Sequence, residues 1–306
     1  MSRTATAFLS LFLAAGVAAA APVAAVATDA PYDTSRIVSV GGAVTEILYA
    51  LGLKERIVAV DSTSLFPRQA LQEKPNIGYL RQLSPEGVLG LNPTLIVAAA
   101  GSGPKEAVEV IEQASIPFVH VPDHFTGDGI LEKIRLIAHA TGRVPIGDCL
   151  ARQVQDDLGH LATLRRQVAT PARVLFVLSF VNGRAMVAGS DTAADGIIKL
   201  AGGVNAMAAF KGYKPVSDEA ILAAQPDTVL TMQRPDQALT ADEVLHHPAF
   251  VQTRAAQRKS FLSFDGLYLL GFGPRTASAA HDLALALYPD LARDAPKPQT
   301  ASSCLQ

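Results

Sequence analysis

Short apolar runs alternate with segments of helical period along most of the chain. Ile37-Val-Ser-Val40, Ile57-Val-Ala-Val60, Leu95-Ile-Val-Ala-Ala-Ala100 and Phe118-Val-His-Val121 are apolar or β-branched stretches of strand length. Gly41-Gly42 turns the chain after the first of them. Ala43 to Leu51 has helical spacing and stops at Gly52, and Lys105 to Ser115 has helical spacing as well. Strands alternating with helices predict a mostly parallel sheet covered on both faces.

The stretch from Pro145 to Val168 breaks this rhythm. Leu150, Val154, Leu158, Leu161 and Leu164 recur at spacings of three and four, the stripe of an amphipathic helix. A continuous helix here would run about 35 Å at roughly 1.5 Å per residue. Pro171 ends it, and Arg173-Val-Leu-Phe-Val-Leu-Ser-Phe180 opens a second strand–helix series. In that series Thr228 to Met232 reads as a strand, and Asp191 to Leu200 and Gly273 to Leu287 as helices.

An internal repeat relates the two series. Leu83-Ser-Pro-Glu-Gly-Val-Leu-Gly-Leu-Asn-Pro93 matches Val216-Ser-Asp-Glu-Ala-Ile-Leu-Ala-Ala-Gln-Pro226, pairing Ser84 with Ser217 and Glu86 with Glu219. In each copy a serine suits the helix N-cap, a carboxylate sits in the first turn, and proline follows the helix end. The expected division is an N-terminal α/β lobe at 36–143, a rigid linking helix at 144–169 and a C-terminal α/β lobe at 170–291, with a cleft between the lobes.

The ends differ from this body. Arg3 followed by the uncharged, mostly apolar Ala7 to Ala20 reads as a signal peptide over 1–21, followed by a flexible leader at 22–35. Residues 292–306 are rich in Pro, Lys, Gln and Ser and read as a disordered tail. Export makes a disulfide chemically possible, but spacing alone does not place Cys149 beside Cys304, and the two are read as unpaired. A net charge of −2 and the lack of any basic tract offer nothing to nucleic acid or an anionic membrane surface.

Candidate chemistry gathers in the loops. Gly78-Tyr-Leu-Arg81 precedes the first repeated helix, and in extended backbone Tyr79 and Arg81 share one side. A phenolate, favoured by a nearby guanidinium or ferric ion, is an iron ligand. Lys211-Gly-Tyr-Lys-Pro215 occupies the equivalent place in the second half, so Tyr213 would face Tyr79, with Lys211 and Lys214 available to carboxylates. Arg184, Arg234 and Arg275 are further cleft cations. Arg275 opens the last helix, where a cation opposes the dipole unless an anion is near. Gly41-Gly42 lacks the rest of a dinucleotide fingerprint, Gly101-Ser-Gly-Pro lacks the lysine of a phosphate loop, and no catalytic constellation can be assembled.

Ile37-Val-Ser-Val-Gly-Gly-Ala-Val-Thr-Glu-Ile-Leu, Gly78-Tyr-Leu-Arg-Gln-Leu-Ser-Pro-Glu-Gly, Ala193-Ala-Asp-Gly-Ile-Ile-Lys-Leu-Ala-Gly-Gly and Gly271-Phe-Gly-Pro-Arg together span nearly the whole mature chain. With these segments the chain resembles the periplasmic haem-binding components of bacterial ABC importers, within the wider class of cobalamin and siderophore binding proteins. The resemblance implies the class III architecture: two Rossmann-like lobes joined by one long helix. It implies a monomer in the periplasm that binds and does not catalyse. Tyr79 would be the ligand to ferric haem iron and Arg234 the cleft arginine that hydrogen-bonds that tyrosine, while Arg81, Tyr213, Lys214, Arg184 and Arg275, read from their places in the chain, would support the haem site. Glu86 and Glu219 would dock the protein on a permease dimer served by its ATPase. A second haem held by a histidine near 177–186 is not expected, because that segment contains none. The alternatives are a corrinoid or ferric siderophore in the same fold, or a divalent metal held by His120 or His124.

Overall fold

The computed structural model describes residues 31–233, 238–293 and Cys304–Leu305. The expected signal peptide, most of the leader, most of the tail and Arg234 lie outside the described residues.

The first lobe runs β1 (Ile37–Val40), α1 (Gly42–Ala50), β2 (Ile57–Val60), α2 (Gln69–Glu73), α3 (Pro85–Leu89), β3 (Leu95–Ala99), α4 (Lys105–Gln113), β4 (Phe118–Val121) and α5 (Gly127–Ala140). Its sheet has the order β2-β1-β3-β4, and every pairing is parallel. The linking helix α6 spans Val144–Arg165. Of its apolar stripe Leu150, Val154, Leu161 and Leu164 are buried, and Leu158 is half-buried.

The second lobe runs β5 (Arg173–Val181), β6 (Arg184–Ala188), α7 (Ala193–Leu200), β7 (Val204–Asn205), β8 (Tyr213–Pro215), α8 (Asp218–Ala224), β9 (Thr228–Gln233), α9 (Ala241–Leu245), α10 (Arg254–Gln257), β10 (Phe261–Asp265), α11 (Gly266–Leu270) and α12 (Thr276–Leu287). Its sheet, β10-β9-β5-β6-β8 with β7 also on β5, is mixed. β5 pairs parallel with β7 and β9, while the β5–β6 and β6–β8 pairs are antiparallel. The architecture is that of a class III periplasmic binding protein.

The repeated segments form α3 and α8. Ser84 Oγ accepts from the Gly87 N–H and Ser217 Oγ from the Ala220 N–H, which satisfies an orphan donor in each first turn.

The apolar interior is not two separate cores. One cluster runs from α1 and α5 through α6 into α7 and α12, including Ile47, Ile134, Leu150, Ile197 and Leu283. Smaller clusters fill the outer face of each lobe. The seam is tight: a Cβ added at Gly42 would stand 2.5 Å from Leu267 of the second lobe, and one at Gly196 would stand 2.4 Å from the Phe125 carbonyl of the first. Phe125 and Phe272 meet edge-on across it at 5.2 Å.

One expectation is corrected. Cys149 of α6 and Cys304 form a disulfide with Cα atoms 5.8 Å apart. They are 155 residues apart in sequence, a proximity that spacing does not reveal.

Candidate ligand-binding cleft

The cleft between the lobes encloses about 630 Å³, within the usual range for small-molecule sites. Tyr79, Leu80, Arg81 and Phe125 line it from the first lobe, and Leu178, Met186, Tyr213, Met232 and Leu267 from the second.

Tyr79 stands on a loop that backbone hydrogen bonds tie down on both sides. Ile77 N donates to Val60 O at 3.0 Å, Ser62 N to Gly78 O at 2.8 Å, and Gly103 N to Leu80 O at 2.9 Å. Gly78 takes φ 89°, which glycine adopts without strain, and so swings the chain outward before the tyrosine. Tyr79 is 42% exposed and lines the cleft.

Beneath this loop lies a polar network that the residue pattern did not disclose. Asp61, fully buried, accepts from Gly41 N at 2.8 Å, Thr63 N at 3.0 Å, Thr63 Oγ1 at 2.6 Å and Ser64 Oγ at 2.9 Å. The carboxylate pins the β1–α1 turn to the segment after β2. An acid at a strand end followed by Ser62-Thr63-Ser64 is the signal that could have found it. Asp123, also on the cleft wall, is held by Lys133 at 2.8 Å. That lysine is 1% exposed, on the apolar face of α5. A lysine between Ile130 and Ile134 needs such a partner.

The second-lobe wall differs from the expected loop. Tyr213 to Pro215 form β8, so side chains alternate. Tyr213 lines the cleft, edge-on to Phe176 with centroids 6.4 Å apart. Lys214 instead lies over the Phe210 ring at 5.3 Å. Lys211 pairs with Asp191 at 2.7 Å and holds that carboxyl below its usual range.

The other basic candidates separate in space. Arg184 is exposed at the start of β6, and its charge helps hold the Glu219 carboxyl below the ordinary range, after the Glu219 N–H and the Ser217 hydroxyl. Arg234 lies outside the described residues, although Met232, two residues earlier, lines the cleft. Arg275 does not line the cleft: its N–H donates to Glu46 Oε1 at 3.2 Å and its Nη2 to Glu46 Oε2 at 3.0 Å. The anion that its place at a helix start calls for is this glutamate of the first lobe. Burial holds the Glu46 carboxyl above its ordinary range, only partly offset by Arg275. Glu86 and Glu219 are both exposed, each in the first turn of its own lobe's repeated helix. His120 pairs with Glu112 and His124 with Glu132, separate contacts on the first lobe. Among the described residues no group of three or more His, Cys, Asp or Glu could hold a metal ion.

Two α/β lobes on one linking helix, with an open cleft and tightly keyed seam, define a binding protein of the two-lobed extracytoplasmic type. The chain belongs to the periplasmic binding protein family, whose model matches residues 37–266. It is similar to the structure of the periplasmic heme-binding protein RhuT from Roseiflexus sp. RS-1, with 38% identity and a TM-score of 0.79, covering 85% of this chain and 100% of that one. It is 24% identical over 261 residues to an uncharacterised ABC transporter substrate-binding lipoprotein, YvrC, of Bacillus subtilis, covering 84% of this chain and 81% of the relative. It is 29% identical over 206 residues to the vitamin B12-binding protein of Vibrio cholerae, covering 66% of this chain and 72% of that protein.

Proposed function

We propose that the protein captures ferric haem in the interlobe cleft and hands it to the permease dimer of an ABC importer. The observation that carries this reading is Tyr79: a solvent-open phenol on a fixed loop, aimed at a cleft with apolar walls. A phenolate there would ligate the iron. Leu80, Phe125, Leu178, Met186 and Leu267 would take the macrocycle out of water, and Arg81 would meet a propionate or steady the phenolate. The similarity to a heme-binding protein at 38% identity supports the cargo.

Nothing in this role needs bond-making in the cargo; the protein binds and releases. Glu86 and Glu219, one per lobe on equivalent helices, would engage cations of a two-fold permease. The route places the mature protein in the periplasm, after removal of a signal peptide.

The relatives named for vitamin B12 favour a second reading, a corrinoid cargo in the same cleft. Titration of the mature protein with haemin decides between them. Haem binding predicts a saturating change in the Soret band that is lost in Tyr79→Ala and is not displaced by excess cyanocobalamin. Cyanocobalamin binding with no haemin response would overturn the haem assignment. Glu86→Lys with Glu219→Lys should leave that titration unchanged and abolish uptake through the permease.

A further inference from the structure

We propose that a second small-molecule site lies behind the cleft, between the two lobes and the linking helix, and takes a neutral ligand with an apolar body and one hydrogen-bond acceptor. The cavity there holds about 560 Å³ and shares no lining residue with the cleft. Its walls come from every part of the fold: Tyr49 and Phe66 from the first lobe, Val154 from α6, Ser278 from α12, and Leu305 from the C-terminal end. Leu305 is kept there by the neighbouring Cys149–Cys304 disulfide.

Two observations point to a polar contact from an occupant. Tyr49 Oη and Arg275 Nε belong to lining residues, are buried, and have no hydrogen-bond partner among the described residues. The backbone N–H and Nη2 of Arg275 donate to Glu46, whereas its Nε does not. A buried donor without a partner carries an uncompensated desolvation cost, and an acceptor oxygen of an occupant at either group would offset it.

Charge selects against an anion. The lining brings one guanidinium, that of Arg275, together with the Glu46 carboxyl that pairs with it. That guanidinium is already neutralised by Glu46 and lies over the Phe66 ring at 3.5 Å. The phenols differ from that of Tyr79 as well. Burial holds Tyr49 and Tyr268 above the ordinary phenol range, and Tyr268 Oη donates to Asp282 at 2.8 Å. They offer neutral hydroxyls and no phenolate, so the site does not suit an iron porphyrin with its two carboxylates. Aromatic and aliphatic walls, with the Tyr49 hydroxyl and the Nε–H of an already paired guanidinium as donors, fit a ketone, ester or ether on a ring system.

The test uses prodan, a neutral naphthalene ketone, with the full mature protein. Equilibrium dialysis should give one saturable equivalent, with blue-shifted emission in haemin-free protein. Binding should persist in Tyr79→Ala and in haemin-saturated protein. Ala50→Phe, which fills the cavity from the end of α1, should weaken it by about tenfold or more. Ser278→Leu, from the opposite wall, serves the same purpose if the first variant does not fold as judged by its melting curve. Absence of saturable binding, displacement by haemin, or indifference to both filling variants would overturn the proposal.

Discussion

The two lobes repeat a helix and a strand, yet they build opposite kinds of cleft wall. In the first lobe the segment before the repeated helix is a loop, fastened to β2 and to the turn after β3, and it presents Tyr79 and Arg81 together. In the second lobe the matching segment is the strand β8, whose alternation gives Tyr213 to the cleft and sends Lys214 elsewhere. A repeat in sequence therefore preserves the helices α3 and α8 with their exposed carboxylates, without preserving the cleft wall beside them. One lobe turns a loop to the cleft; the other turns a strand.

The largest expected effect separates those roles. Tyr79→Ala should weaken haemin binding by more than about 100-fold, beyond the 10–100-fold usual for groups outside the first coordination sphere. Tyr213→Ala should stay within that smaller range, because the loss is of packing and polar contact. Titration by absorption reads both. Equal losses would mean that the phenols share the iron and that the one-sided account is wrong.

Stability offers a second contrast, since the disulfide closes the chain from Cys149 to Cys304 and so encloses most of the linking helix and the second lobe but none of the first. Cys149→Ser should lower unfolding stability by about 2–4 kcal/mol through the freed denatured chain. Hydrogen exchange should lose protection first in β5 to β10. Matching losses in β1 to β4 would show that the shared central core makes the lobes one cooperative unit.

Two glycines sharpen the account of the seam. Alanine at Gly196 would press on the Phe125 carbonyl of the other lobe, and should cost about 1–3 kcal/mol as overpacking. Alanine at Gly159, exposed on α6 with nothing within 4 Å of the new Cβ, should gain up to about 1 kcal/mol from helix propensity. Melting temperatures moving in the same direction would refute the idea that the lobes are keyed at α7.

Much of the fold was legible because its signals are local. β1, β2 and β4 coincide with the apolar runs, and α6 follows its stripe to within a few residues. The Ser84 and Ser217 caps follow from residue type and position. Tyr79 and Arg81 do line the cleft together, but not by extended alternation: Gln82 N donates to Tyr79 O at 2.8 Å in a turn, and Leu80 lines the cleft with them. What escaped depended on distant partners. Glu46 sits among apolar residues of α1, a local contradiction that Arg275 resolves from 229 residues away. Lys133 is the same kind of contradiction on α5, and Cys304 meets Cys149 from 155 residues away. A strand also looks like a loop in Lys211-Gly-Tyr-Lys-Pro215, where glycine and proline flank an edge strand that pairs on only one side.

The smallest effect tests the ion pair that joins the lobes. Burial keeps Glu46 protonated to higher pH in the folded protein than in the unfolded chain. Between the ordinary glutamate range and that raised value, the folded state therefore binds more protons. Stability from this group is fully present below the unfolded pKa and is lost as pH rises through the folded one. Glu46→Gln keeps the shape and removes the titration. The melting temperature of the natural protein relative to this variant should fall as pH rises from the glutamate range toward neutrality, and level off once Glu46 is charged. A difference that instead grows with pH would mean that Arg275 outweighs desolvation. The pair would then clamp the first lobe to the second more firmly at neutral pH, and the seam would be electrostatic rather than steric in origin.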